Sequence, residues 1–255
     1  MKKKIFIPVL IFVIVSAIIC TCITINWAHN MAKAKEQQSE INKATVETVA
    51  PSDFFDTRDY ETTTPTEKPF EPSYIIDFEN LKETNSDTVA WIKIENTEIE
   101  YPIVQTEDNS YYLEHDFNKT ENIAGWIFAD WANDMKNLDL NTVLYGHNQR
   151  DGSMFANVNR LLHNINEDNC GDYKVTFVTP NHYYEGYIFS IYEVDPDADY
   201  RTANPENIQT FAEDANTASW NALSLPDFDH ILTLSTCADI GENRTACHIA
   251  LTQLN

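Results

Sequence analysis

The chain has 255 residues, with 17 Lys+Arg against 40 Asp+Glu and a formal net charge of −23. So acidic a chain repels a phosphate backbone, which argues against nucleic acid as a partner. A hydrophobic fraction of 43%, with only 6 Gly and 10 Pro, excludes a disordered or collagen-like polymer, and the length suits one enzyme-sized domain with appendages.

In chain order, Lys2, Lys3 and Lys4 precede an uncharged apolar run over residues 5–25. At ~1.5 Å per residue, that run is long enough to cross the roughly 30 Å core of a bilayer. It exceeds the apolar stretch of about 7–15 residues in a cleaved signal peptide, so residues 5–25 are expected to be a transmembrane signal anchor. The leading lysines place residues 1–4 in the cytoplasm and the remainder outside the cell. Residues 26–72 are polar, with a Thr/Pro/Glu-rich centre at Glu61–Pro69, and read as an extracellular linker with at most a short helix over 32–49. A folded domain standing off the membrane is then expected over 73–255.

That domain carries short β-rich runs broken by Asn, Asp and Gly. Strands are predicted at Trp91–Ile94, Ile99–Gln105, Gly125–Ala129, Thr142–Tyr145, Tyr173–Val178, Tyr183–Val194, His230–Cys237 and Thr245–Leu254. Eight such strands indicate a mainly β domain, a barrel or a sandwich. Helices are predicted at Tyr74–Glu83, Ser110–His115, Met154–Leu162 and Pro205–Trp220, the last capped by Asn204. Side chains two apart on a strand share a face. Thr233, Ser235 and Cys237 therefore share one face, as do Arg244, Ala246 and His248, while Cys247, Ile249 and Leu251 point to the more apolar side.

Of five cysteines, Cys20 and Cys22 lie in the apolar run, and the sparse remainder (Cys170, Cys237, Cys247) makes no disulfide framework. Cys237 ends an apolar strand at a polar loop, which makes its thiol accessible. Arg244 opens the next strand and lies beside it if the two pair antiparallel. A guanidinium there favours thiolate over thiol and can hydrogen-bond an oxyanion. A proton carrier must be a histidine. His147, leaving a strand after Gly146, is the best placed, and His248, on the Arg244 face, is its competitor. No Cys or His pair has zinc-site spacing, and no Gly-rich phosphate loop is present.

The segments Leu144-Tyr-Gly-His-Asn, Thr233-Leu-Ser-Thr-Cys and Asn243-Arg-Thr, in that order, resemble the three catalytic segments of the sortases, membrane-anchored cysteine transpeptidases of Gram-positive surfaces. The runs at 96–105, 108–117, 125–130 and 151–155 are similar to class B sortases in particular. The resemblance implies an eight-stranded β-barrel with N-terminal helices and a long helix before the strand that bears the cysteine. It implies Cys237 as nucleophile, His147 as general acid/base and Arg244 as holder of oxyanion and substrate backbone. Asn109, Leu113, Tyr200 and Ser235 match positions that line the sorting-peptide groove. The implied substrates are surface proteins with a C-terminal sorting motif. The implied acceptor is a peptidoglycan cross-bridge amine, or a pilin lysine in a pilus-assembling relative, and no metal or organic cofactor is needed. A tethered binding module with a structural Cys237 is the alternative outside enzymes. The loop from Cys237 to Arg244 is about three residues shorter than expected for class B.

Overall fold

The computed structural model describes residues 6–48, 70–221 and 223–255. Helix α1 (Phe6–Thr45) begins in the apolar run and continues without a break far beyond it. Its first half is exposed along Val9–Val15, Ile18, Ile19, Ile23 and Ile25. Its second half lies on the folded domain: Met31 and Ala34 are buried, and Trp27 and Ile41 pack against the same core. Gln38 and Asn42 donate to the Glu100 carbonyl at 2.8 and 2.9 Å, and Lys33 pairs with Asp116 at 2.9 Å. The expected polar linker is therefore docked helix over its first part, because residues 27, 31, 34, 38 and 41 follow helical spacing and form one contact face. The Thr/Pro/Glu-rich centre lies outside the described residues.

Strand β1 (Val46–Thr48) pairs antiparallel with β2 (Tyr74–Ile76). Helix α2 (Phe78–Thr84) follows, with the Asp77 side chain accepting from Asn80 N. The helix predicted at Tyr74–Glu83 is thus divided, since the Asp77 cap starts the helix only after a short strand.

The remaining strands are β3 (Thr88–Ile94), β4 (Glu100–Val104), β5 (Phe128–Ala129), β6 (Asn141–Tyr145), β7 (Val175–Val178), β8 (Tyr183–Val194), β9 (His230–Cys237) and β10 (Arg244–Gln253). They close into a barrel in the order β10-β8-β7-β3-β4-β5-β6-β9. Each of the eight predicted strands has its counterpart. Two pairings are parallel, β4 with β5 and β6 with β9, and the others are antiparallel. Inward-facing Ile92, Ile103, Leu144, Phe177, Leu232, Leu234, Cys247 and Ile249 fill the core. The segment predicted helical at Ser110–His115 is a single 3₁₀ turn, Tyr111–Leu113.

Helix α3 (Ala156–Asn164) follows β6, and α4 (Ile208–Ala218) covers an outer face of the barrel through Ala212 and Ala215 against Phe189, Ile231 and Ala250. The cap of α4 is Asn207, whose side chain accepts from Thr210 N at 3.0 Å, rather than Asn204. Asn204 instead accepts from Leu140 N and donates to Asp139, which ties the preceding loop to β6 and leaves Pro205 outside the helix.

Candidate active site

Strand β9 lies between β6 and β10, and its end carries the exposed Cys237. On one side Arg244 is the direct antiparallel partner of Cys237. On the other, parallel pairing aligns Tyr145 with Ser235, and Gly146 N continues the ladder to Ser235 O at 3.3 Å. The paired register stops there, and His147 comes two residues after the last paired residue of β6 as Cys237 comes two after Ser235 on β9. The three residues singled out from the sequence thus stand at one rim of the barrel, on three neighbouring strand ends.

His147 is held by the backbone. Its Nε2 lies 2.8 Å from the Leu113 carbonyl, which can only accept, so Nε2 carries a proton and Nδ1 is left as the uncommitted nitrogen. Gly125 closes the ring's other flank: a Cβ there would lie 2.9 Å from His147 Cδ2 and 2.6 Å from Tyr112 O, and φ is +63°. Phe155 N donates to the His147 carbonyl at 2.9 Å and pins the strand exit to the start of α3.

The thiol strand end is held in the same way. Asn159 of α3 donates to the Cys237 carbonyl at 2.8 Å, and its Oδ1 accepts from Thr245 of β10. Ala238 N donates to Asn243 O at 3.0 Å, and Gly241, at φ +88°, turns the short loop. Asn148 donates to Asp239 at 2.9 Å, linking the residue after His147 to the loop after Cys237. Arg244 Nη1 donates to the carbonyls of Glu242 and Asn243 at 3.1 and 3.4 Å, so its guanidinium is braced by its own loop. A cleft of about 410 Å³ opens beside Cys237, lined by Arg150, Arg160 and Asp239 among others. Among the described residues no group of three or more His, Cys, Asp or Glu side chains converges to hold a metal ion.

Of the four residues expected to line a groove, Tyr200 and Ser235 are buried and bonded to each other, Asn109 reaches their neighbour Tyr145 through Asp130, and Leu113 stands apart beside His147. Tyr200, in a 3₁₀ turn, meets Ser235 Oγ through its hydroxyl at 2.9 Å. Ser235 is the register partner of Tyr145, whose hydroxyl donates to Asp130 at 2.7 Å. Asp130 also accepts from Asn109 Nδ2 at 3.0 Å, and Asn109 Oδ1 accepts from Trp131 N. Leu113 shows a partly exposed side chain, and its carbonyl is the His147 partner. Tyr145, Asp130, Asn148 and Asn159 were not singled out from the sequence. Asn148 and Tyr145 flank the Gly146-His147 pair, which is the one local signal that pointed toward them.

Two competitors resolve by burial. Cys247 is fully buried in the core, and desolvation pushes its thiol well above the ordinary range. His248 is buried against the rings of Phe189, Tyr192 and Phe211, and desolvation lowers its pKa to about 3. Thr233 Oγ1 donates to Asn141 Oδ1 at 2.6 Å, so it must accept from His248 Nδ1–H at 2.8 Å. His248 Nε2 then accepts from Tyr192 OH at 3.2 Å, and Asn141 Nδ2 donates to the carbonyls of Tyr200 and Thr202. This chain of bonds runs one way, from β8 to the turn that carries Tyr200.

Residues 92–251 match the family model described as the sortase domain. The chain is 37% identical over 168 residues to sortase B of Listeria monocytogenes, an alignment that takes in 62% of this chain and 65% of that protein, just under two thirds of its length. The Staphylococcus aureus sortase B–substrate complex superposes with a TM-score of 0.63 at 31% identity, covering 70% of this chain and 85% of that one. A Bacillus anthracis protein described as similar to sortase B superposes with a TM-score of 0.65 at 28% identity, covering 87% of this chain and 94% of that one. With a closed mixed barrel, a strand-end thiol flanked by His147 and Arg244, and matches that share one description, the chain belongs to the sortase family, on its class B branch.

Proposed function

We propose that the chain is a cysteine transpeptidase that attaches surface proteins bearing a C-terminal sorting motif to cell-wall peptidoglycan. The reading is carried by one observation: an exposed thiol at the end of β9, paired directly with Arg244 at the start of β10 and neighboured on its other side by β6, which leads two residues on to His147. In the proposed cycle the Cys237 thiol gives its proton to His147 Nδ1 as Sγ attacks the scissile carbonyl carbon, and Arg244 donates to the oxyanion. The C–N bond breaks as His147, through Nδ1, delivers a proton to the departing amine, which leaves a thioacyl enzyme. An incoming cross-bridge amine then attacks the thioester, gives up its proton to His147, and restores the thiol. Asn109, Leu113, Tyr200 and Ser235 form the wall along which the sorting peptide lies. The first half of α1 spans the membrane with residues 1–4 in the cytoplasm and the catalytic domain outside, a reading supported by its uncharged apolar run and the exposure of Val9–Val15, Ile18, Ile19, Ile23 and Ile25.

The test is incubation of the full chain in detergent with a library of sorting-motif peptides, followed by intact-mass analysis. A thioacyl adduct on the wild-type chain that is missing from Cys237→Ala supports the proposal. Absence of any adduct across the library, in protein whose Cys237 still alkylates, overturns it.

A further inference from the structure

A trough of about 940 Å³ runs between α1 and the loop that follows His147. Cys22, Ile23, Trp27 and Ala28 form its α1 wall, and Ile123, Gln149 and Arg150 form the wall contributed by the domain. The α1 wall is the stretch where the apolar run gives way to polar residues, so in a membrane-spanning α1 it lies at the bilayer surface. Docking of Met31 and Ala34 then holds the domain wall at the same height.

The lining has the character of a lipid interface. It is apolar, with Ile123 49% exposed, and Arg150 is the one charged side chain along it. Among the described residues Arg150 has no hydrogen-bond or ion-pair partner. Lys33, further along α1, is by contrast paired with Asp116 at 2.9 Å. On a chain of net charge −23, an anionic surface repels most of the domain, which makes one unpaired guanidinium at the bilayer level a selective contact.

We propose that this trough seats a bilayer phospholipid, with an anionic headgroup phosphate on Arg150 and an acyl chain along Ile23, Trp27 and Ile123. The proposal rests on the reading of α1 as a membrane anchor. Asn148, Gln149 and Arg150 line both this trough and the cleft beside Cys237, so lipid seated here lays the catalytic rim against the membrane surface. The domain does not sway on a tether, and substrates reach Cys237 along the bilayer.

Full-length chain in nanodiscs of phosphatidylglycerol or of phosphatidylcholine, compared by amide hydrogen exchange, tests this. Segments 121–125 and 148–152 should exchange about fivefold more slowly in phosphatidylglycerol, the factor that corresponds to the ~1 kcal/mol contributed by a basic residue at an anionic surface. Arg150→Lys should keep the difference and Arg150→Glu should remove it, with the barrel strands unchanged in both. Equal exchange in the two lipids, or a lipid effect that survives Arg150→Glu, overturns the headgroup seat while leaving the anchor intact. A chain that fails to co-purify with nanodiscs overturns the anchor and the seat together.

Discussion

His248 makes a quantitative prediction, because its burial sets the sign and size of a pH effect. Its pKa is lowered from 6.5 to about 3 by desolvation, so the folded state keeps it neutral where the unfolded chain would protonate it. Its contribution is therefore fully present above pH 6.5 and is lost as pH falls toward 3. Within that window each pH unit costs up to about 1.4 kcal/mol, and the step from pH 7 to pH 5 costs about 2 kcal/mol from this one group. Few carboxylates titrate above pH 5, so they add little to the loss between pH 7 and pH 5. Urea unfolding followed by tryptophan fluorescence at pH 7 and pH 5 measures the loss. His248→Gln, which still offers an N–H to Thr233, should reduce the wild-type loss by about 2 kcal/mol. Identical pH dependence in the two proteins, or a His248 ring signal that titrates near pH 6 in the folded state, would refute the reasoning.

Cys237→Ala should abolish thiol labelling at the rim, whereas Cys247→Ala should leave labelling intact and cost about 1–2 kcal/mol of stability through the small cavity it opens. Cys20 and Cys22 are also exposed, so the readout is the modified 230–244 peptide after digestion, and wild-type protein that leaves this peptide unmodified would refute the assignment. Gly125→Ala should drive a methyl into Tyr112 O and the His147 ring and lower peptide-cleavage kcat by roughly 10²-fold with little change in KM; an unchanged kcat would mean the ring tolerates displacement. Arg244→Ala and Arg244→Lys should both reduce kcat/KM by on the order of 10²–10³, since an ammonium lacks the planar fork, and near-complete rescue by lysine would reduce the arginine to a positive field.

Much of the barrel was legible because its strands are short runs bounded by turn residues. Alternation assigned Cys247 to the core, and the polar loop that follows the strand end marked Cys237 as accessible. The docked half of α1 was not legible, because its contact face is made of Trp27, Met31, Ala34 and Gln38, a mixture of large, small and polar residues that reads as linker. The cap of α4 was misplaced by three residues because two asparagines flank Pro205, and only the bond to Thr210 N distinguishes them. The hold on His147 was invisible for a different reason: a carbonyl such as that of Leu113 leaves no mark on side-chain composition. Asn141 and Asn159 were passed over because buried amides bridging strands and helices look, in a sequence, like ordinary surface polar residues.

The insertion of β9 between β6 and β10 bears on when the protein acquires its chemistry. His147 is synthesised early and Cys237 late, and only parallel pairing of β6 with β9 across that long separation brings their strand ends together. Contacts so distant in the chain form slowly and after the local ones. A nascent chain released short of β10 lacks Arg244 and lacks the strand that joins β9 to β8, so its thiol stays unpositioned. Folding order thus acts as a safeguard: the strand-end thiol meets its neighbours only in a finished barrel.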